Sequence, residues 1–383
     1  MSTDTVDRLD SYLIWSWLRV AIFCLVLCVP MTVMLSSSLR TWTDSRKPEF
    51  PRWSWKVGEI RRYPSLFEEQ FNAALPLRLK IAALSGHFFI DWLEVSPIPD
   101  VILGTDGWLY YVGASTDRLL DRHVRGRDPF SQAELEHWRR LLLERTRHFK
   151  SIGARYVLVV APDKESIYQE HLPAWIGPKL GPSRLDQLMG FLNSAPEVTV
   201  IDLRPSLIAS KGSDVLYYKT DTHWNPRGAH AAYREIVRVL EPYFPSISVK
   251  SWLSFNPRIT MGQGMDIAKM IGLEFADENV EIDHSACTEH RPISIPVPEV
   301  LQSKTASAYS TRCDAPGNID AAIFQDSFGL ALAPFLAESF RSTANFNRME
   351  WNDAAGYGLS ETLRANLVVE IMVERSLSSV LKY

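Results

Sequence analysis

Apolar residues follow two rhythms along this chain, and the change from one to the other divides it. The first is an unbroken run. From Val20 to Leu35 (VAIFCLVLCVPMTVML) almost every residue is apolar, with Arg19 before it and Arg40 after it. Together with Leu18 and Ser36 to Leu39, it approaches the ~20 residues that cross a bilayer. Trp15, Trp17 and Trp42 flank it as interface aromatics do. The leader of residues 1–17 is long for a signal peptide, and no clear A-x-A site follows, so residues 18–39 are expected to form an uncleaved transmembrane signal anchor. Arg40 to Tyr63 is polar and reads as a juxtamembrane stalk. Pro64 to Leu93 has helical periodicity (Leu66, Phe67, Phe71, then Leu79, Ile81, Leu84) and reads as a helical lead-in, so that residues 40–100 connect the anchor to the body.

The second rhythm alternates short apolar runs with amphipathic stretches over residues 101–383. ILGTDGWLYYVG (Ile102 to Gly113) has an Asp-Gly turn, at Asp106 and Gly107, between apolar arms and predicts a hairpin. Ser131 to Ile152 predicts a helix, with Ser131 and Glu134 spaced as a capping box. Arg155 to Val160, Val198 to Leu203, Ala321 to Phe324 and Asn366 to Met372 predict strands. Arg184 to Ser194 and Pro226 to Leu240 predict helices, the second capped by Asn225 with Pro226 in its first turn. Pro334 predicts a kink or a late start in the helix after Ser327. Asp283 to Ala315, rich in Pro, Ser and Thr, reads as extended insertions. Strand–helix alternation predicts an α/β fold, a mostly parallel sheet with helices on both faces.

Composition narrows the function classes. Hydrophobic residues make up 46% and charged residues 22%, which excludes long disorder. The net charge of −4 gives no basic field for nucleic acid. There is no CxxC or HExxH, so no metal site is expected. Of the four cysteines, Cys24 and Cys28 fall in the apolar run. Cys287 and Cys313 suit either one disulfide or two unrelated buried thiols.

In a sheet of this kind chemistry gathers at the carboxyl ends of strands. Three loops are expected there: APDKESIYQEHLP (Ala161 to Pro173), TDTHWN (Thr220 to Asn225) and IFQDSFG (Ile323 to Gly329). Ser327 at a strand-to-helix turn exposes a hydroxyl beside helix-start amides, which suits a nucleophile with an oxyanion site. His223 suits a general base, and Asp221 a partner that fixes its tautomer. Each piece alone has a plainer reading. Asp-x-His before a capped helix is commonly loop hydrogen bonding, Ser327 would serve as an N-cap, Lys164 beside Asp163 reads as a surface pair, and His230 as structural.

Taken together, the residues resemble the alginate O-acetyltransferase AlgJ/AlgX family of SGNH hydrolase-like, DHHW-type proteins. The resemblance rests on NAALPLR (Asn72 to Arg78), GTDGWLYY (Gly104 to Tyr111), APDKESIYQEHLP, YYKTDTHWNPRGAHAAY (Tyr217 to Tyr233), GQGMDIAKMIGL (Gly262 to Leu273), QDSFG and VVEIMVER (Val368 to Arg375). Gln325 stands where the usual GDS pattern has glycine. The resemblance implies an SGNH-like α/β/α sandwich with a circularly permuted motif order. It implies Asp221 as catalytic acid, His223 as base and Ser327 as nucleophile. Lys164, Tyr168, Trp224, Asn225 and Gly329 are expected to bind substrate. The implied activity is transfer of an acetyl group through an acetyl-Ser327 to hydroxyls of an exopolysaccharide, without a cofactor. The alternatives are an acetylesterase of the same fold and a non-catalytic polysaccharide-binding scaffold. The expected partners are the polysaccharide acceptor, a membrane-bound O-acyltransferase that supplies acetyl groups, and the inner membrane. Charges beside the anchor (Arg8 and Arg19 before it; Arg40, Arg46 and Lys47 after it) favour a cytoplasmic body by one residue. The resemblance implies the opposite, residues 1–17 in the cytoplasm and the body in the periplasm, which is compatible with a Cys287–Cys313 bridge. With no carbohydrate-binding module after the last strand, the layout is closer to AlgJ than to AlgX.

Overall fold

The computed structural model describes Tyr63, residues 65, 66, 68 and 86, and residues 88–378 apart from 114–119, 213, 273–274, 284–286, 288–290, 293–308, 314–317 and 349–352. Two compact units divide the chain, Met1–Trp92 and Leu93–Tyr383. The expected anchor, residues 18–39, lies outside the described residues. Among the described residues no helix is long and apolar enough to cross a membrane.

The second unit opens with the expected hairpin, β1 (Val101–Leu103) against β2 (Leu109–Tyr111), antiparallel. Its turn holds Asp106 at φ 55° and Gly107 at φ 79°, left-handed values that an Asp-Gly pair tolerates. Next come α1 (Gln132–Ser151), β3 (Arg155–Ala161), the single turn α2 (Lys164–Ile167), α3 (Arg184–Leu192), β4 (Val200–Asp202), α4 (Arg204–Ser210) and α5 (Pro226–Leu240). An excursion follows: β5 (Arg258–Gln263), α6 (Asp266–Ile271) and β6 (Ala276–Glu281). The chain returns through β7 (Arg291–Pro292), β8 (Tyr309–Arg312), β9 (Asp320–Gln325), α7 (Ser327–Ser339), β10 (Ser342–Asn347), α8 (Asp353–Leu363) and β11 (Leu367–Val373).

Seven strands form one sheet in the order β4-β3-β11-β9-β10-β8-β7. The first five are parallel; at one edge β8 pairs antiparallel with β10, and β7 antiparallel with β8, so the sheet is mixed. Alternation along the strands explains why their sequences are apolar throughout. On one face, Val157, Val159, Ile323, Val369 and Ile371 pack with Ala232, Ile236 and Leu240 of α5 and Leu332, Phe335 and Leu336 of α7. On the other, Tyr156, Leu158, Phe324, Val368 and Met372 pack with Trp138 and Leu142 of α1, Leu185 and Leu188 of α3 and Leu359 of α8. The result is an α/β fold with helices on both faces.

Helix ends follow their local chemistry. Ser131 and Glu134 make the reciprocal capping box at α1, and Ser183 and Asp186 make another at α3. Asn225 caps α5 by accepting the N–H groups of Arg227 and Gly228. Pro334 neither delays nor ends α7, which runs unbroken from Ser327 to Ser339. The bond that Pro334 is unable to donate would have gone to Leu330, which is exposed, so water can take that carbonyl. The stretch that reads as extended insertions contributes β7 and β8 to the sheet edge, and Cys313 joins Cys287 in a disulfide.

Candidate active site

The site begins at the carboxyl end of β9. The strand ends at Gln325, Asp326 turns the chain, and Ser327 starts α7. Asp326, not Ser327, is the N-cap: its carboxylate accepts Phe328 N–H at 3.0 Å and Val373 N–H at 2.7 Å. Burial raises the Asp326 carboxyl above its ordinary range, against those two hydrogen bonds. With the cap supplied by its neighbour, the Ser327 hydroxyl stays free of that duty, and Ser327 is exposed at the positive end of the helix.

The second piece is the loop before α5. It does not follow a strand directly, as the sequence suggests; it joins α4 to α5 and closes on itself. Tyr218 N–H donates to His223 O at 3.3 Å, Asn225 N–H to Leu216 O at 2.9 Å, and Tyr217 bridges Trp224. Asp221 accepts two hydrogen bonds from His223 on Oδ1, from the backbone N–H at 2.9 Å and from ring Nδ1 at 2.6 Å. Burial pushes the Asp221 carboxyl up, but those hydrogen bonds and the ring's charge outweigh it and hold the group below its usual range. A carboxylate on Nδ1–H leaves the lone pair on Nε2, and Nε2 lies 2.7 Å from Ser327 Oγ. Residues 104 positions apart thus form one line: Asp221, His223, Ser327.

Four other side chains expected at the substrate build this geometry from beneath. Lys164 is 1% exposed. Its Nζ donates to the carbonyls of Tyr218 at 3.1 Å, Lys219 at 2.9 Å and Asp221 at 2.7 Å, so it props the loop and presents nothing to solvent. Burial pushes Lys164 down to about 8, against the pull of Glu165, Asp221 and other carboxylates. It is not the surface pair its sequence neighbours suggest, since Asp163 is buried too and binds Arg375. Tyr168 is buried, stacks on Trp108 and accepts Leu216 N–H at 2.8 Å on its hydroxyl. Trp224 is buried and donates Nε1–H to Phe328 O at 3.2 Å, bolting the histidine loop to the start of α7. Asn225 is buried, capping α5 and donating to Val215 O at 2.6 Å. Their polar atoms are bonded to backbone groups.

Gly329 is likewise buried and approaches Gln325 closely. A Cβ there would lie 2.4 Å from Gln325 Cβ. Because that atom is the stiff root of its side chain, Gly329→Ala is expected to cost about 1–3 kcal/mol of stability. Urea unfolding would show a lowered midpoint, and the displaced helix start would slow any reaction at Ser327.

One side chain at the site has no counterpart in the sequence-level expectations: Asp266, the first residue of α6. Its Oδ1 accepts Thr222 N–H at 3.1 Å and its Oδ2 accepts Thr222 Oγ–H at 3.2 Å. The only hint in the sequence is an acid opening a short helix, 44 residues from Thr222. Asp221, His223 and Asp266 bring donor atoms within 4.8 Å of one another. Since Asp221 Oδ1 and the ring Nδ1 bind each other, the trio is spent on hydrogen bonds and makes no argument for a metal.

An open mixed sheet between helical layers, with a serine opening the helix after a central strand and a histidine–aspartate pair facing it, defines the class as SGNH hydrolase-like. Residues 101–289 match the family described as SGNH hydrolase-like domain, acetyltransferase AlgX; that stretch takes in Asp221 and His223 and stops short of Ser327. A Pseudomonas aeruginosa protein named probable alginate O-acetylase AlgJ is 24% identical over 271 residues, covering 70% of this chain and 61% of that protein. A relative of the same name from Pseudomonas syringae pv. tomato is 30% identical over 139 residues, covering 36% of this chain and 32% of the relative. The chain therefore spans about three fifths of the first relative's length. Among solved structures, Bacillus cereus PatB1 with a sulfonyl adduct superposes with a TM-score of 0.51 at 16% identity, covering 72% of this chain and 94% of that one; this likeness is one of fold. Over residues 101–289 the chain is similar to the AlgJ/AlgX family.

Proposed function

We propose that this chain is an O-acetyltransferase that carries an acetyl group on Ser327 and passes it to a hydroxyl of an exopolysaccharide. The observation that carries the reading is the unbroken hydrogen-bonded line from Asp221 through His223 to an exposed Ser327, 2.6 Å and 2.7 Å long at its two links. The names of the relatives, probable alginate O-acetylase, support acetyl as the group and a polysaccharide as the acceptor.

The chemistry follows from the geometry. His223 Nε2 takes the Ser327 proton as Oγ attacks the acetyl carbonyl of the donor. The tetrahedral oxyanion forms beside the first amides of α7, where the helix dipole favours negative charge. Asp221 stabilises the imidazolium until the ring gives its proton to the leaving group. An acceptor hydroxyl then attacks the acetyl-enzyme, its proton passes to His223, and the ring returns a proton to Ser327 Oγ. The products are the acetyl ester of the sugar and the restored enzyme.

The same reading puts the domain on the periplasmic side of an inner membrane, held by residues 18–39, with a membrane-bound O-acyltransferase as the source of acetyl groups. The apolar run from Val20 to Leu35 supports the anchor, and the Cys287–Cys313 disulfide fits an oxidising compartment. An exposed Ser327 also admits water, so an acetylesterase is the competing reading. Incubation with a chromogenic acetyl ester, with and without an alginate oligosaccharide, separates the two. A transferase leaves acetylated sugar at the expense of free acetate. Free acetate alone, unchanged by the sugar, would favour the esterase.

A further inference from the structure

Asp266 comes from a part of the fold that otherwise stands apart from the relay, the β5–α6–β6 excursion. Two anchors bring it in. Thr220 N–H and Oγ–H both bind Asp277 Oδ2 on β6, at 2.7 and 2.6 Å. Thr220 in turn accepts Met265 N–H on its hydroxyl at 3.0 Å and Ile267 N–H on its carbonyl at 3.0 Å. The start of α6 is thereby fixed against the histidine loop, and the Asp266 carboxyl grips Thr222, the residue between Asp221 and His223. Thr222 Oγ also lies 3.1 Å from His223 Nδ1, so the grip reaches the ring itself.

The second feature is the pairing of carboxyls. A carboxylate oxygen of Asp266 lies within 4.8 Å of one of Asp221 and of a ring nitrogen of His223. Two carboxyls this close do not both ionise cheaply. Burial first, and the Asp221 charge second, raise the Asp266 carboxyl above its ordinary range. The charged and titratable groups around it are Asp221 and His223 of the loop, Lys164 from α2, Asp277 on β6, Tyr110 and Tyr111 of β2, and Lys269 on its own helix.

We propose that Asp266 is a positioning residue of this site: it clamps Thr222 and, as a second carboxyl beside Asp221, sets the pH range over which the Asp221–His223 pair can accept the Ser327 proton. The inference rests on the relay proposed above. At lower pH, with a proton on Asp266, the carboxyl pair carries a single negative charge. As that proton departs with rising pH, a second negative charge appears beside the ring and favours the protonated ring, which is useless as a base. Asp266→Asn keeps the single charge at every pH while preserving an acceptor for Thr222 N–H. The ring then frees its lone pair at lower pH than in the native chain.

The test is the pH dependence of Ser327 labelling by phenylmethylsulfonyl fluoride, followed by peptide mass, in the native protein, Asp266→Asn and Asp266→Ala. No sugar or acetyl donor is needed. The acid limb of the labelling profile should move down by about 0.5–1 pH unit in Asp266→Asn, allowing for solvent screening of a half-buried charge. Asp266→Ala, which also loses the grip on Thr222, should label about tenfold or more slowly at every pH. A purely structural role would lower the rate without moving the limb. An Asp266→Asn profile that overlays the native one overturns the inference, whatever Asp266→Ala does. Failure of the folded native protein to label at Ser327 overturns the inference and the relay together; native labelling with an unmoved limb overturns the inference alone.

Discussion

Ser327→Ala is expected to abolish acetyl turnover, with a loss of about four to six powers of ten in kcat, and to leave the fold intact. The size follows from what the hydroxyl does. In the proposed mechanism its oxygen forms the covalent bond to the acetyl group, so removing it leaves only what the helix-start amides and substrate binding contribute. The fold should be untouched because Ser327 is exposed and is not the cap of α7; Asp326 performs that task through Phe328 N–H and Val373 N–H. Initial rates on a chromogenic acetyl ester, paired with far-UV circular dichroism, check both halves. His223→Ala should lose a comparable factor, and the double variant no more than either alone, since residues that act as one unit are not additive. Rates that multiplied in the double variant would mean that the two side chains act separately.

The second large effect is expected at a residue that does no chemistry. Lys164→Met keeps the volume of the stem but removes the ammonium that binds the carbonyls of Tyr218, Lys219 and Asp221. The part-buried carbonyls of Tyr218 and Asp221 then lose this donor, while Lys219 O keeps Leu109 N–H at 2.9 Å, and the Asp221 side chain loses a nearby positive charge. Each unsatisfied group costs about 1–3 kcal/mol, partly offset because burying the ammonium is itself costly. A net loss of about 2–4 kcal/mol is expected in chemical denaturation. Catalysis should fall as well, because the loop that carries Asp221 and His223 is free to shift, and small displacements of a relay cost large factors in rate. A variant with native stability and native kcat would show that the loop holds its shape without the strut.

How far such features can be read from a sequence depends on whether burial leaves a mark there. The central strands are legible because β3 and β11 are covered on both faces, and RYVLVV and NLVVEIM are apolar nearly throughout. The caps at Ser131 and Asn225 are legible because a single side chain decides them. β10 is not. Its sequence, STANFN, is polar enough for a loop, yet Thr343 and Asn345 are buried, with Thr343 Oγ1 bonded to Thr311 Oγ1 and accepting Asn345 Nδ2–H. The β5–β6 hairpin is hidden for the opposite reason. Nearly every residue of β5 is exposed, so no alternation marks it.

The candidate site divides along the same line. Asp221, His223 and Ser327 announce themselves by residue type, and the structure brings them together. Lys164, Tyr168, Trp224 and Asn225 have the chemistry of ligand contacts, but only the tertiary fold shows that their polar atoms face backbone. Asp266 escapes notice because one acid opening a short helix is common, and its meaning lies in the Thr222 backbone it meets.

The most direct test of the whole account is to quench the purified protein during turnover of an acetyl ester, weigh it intact, and map any added mass to a peptide. One acetyl group on Ser327, absent from Ser327→Ala, is the result this account predicts. Undiminished turnover in Ser327→Ala, or an acetyl group carried only on some other residue, would contradict it.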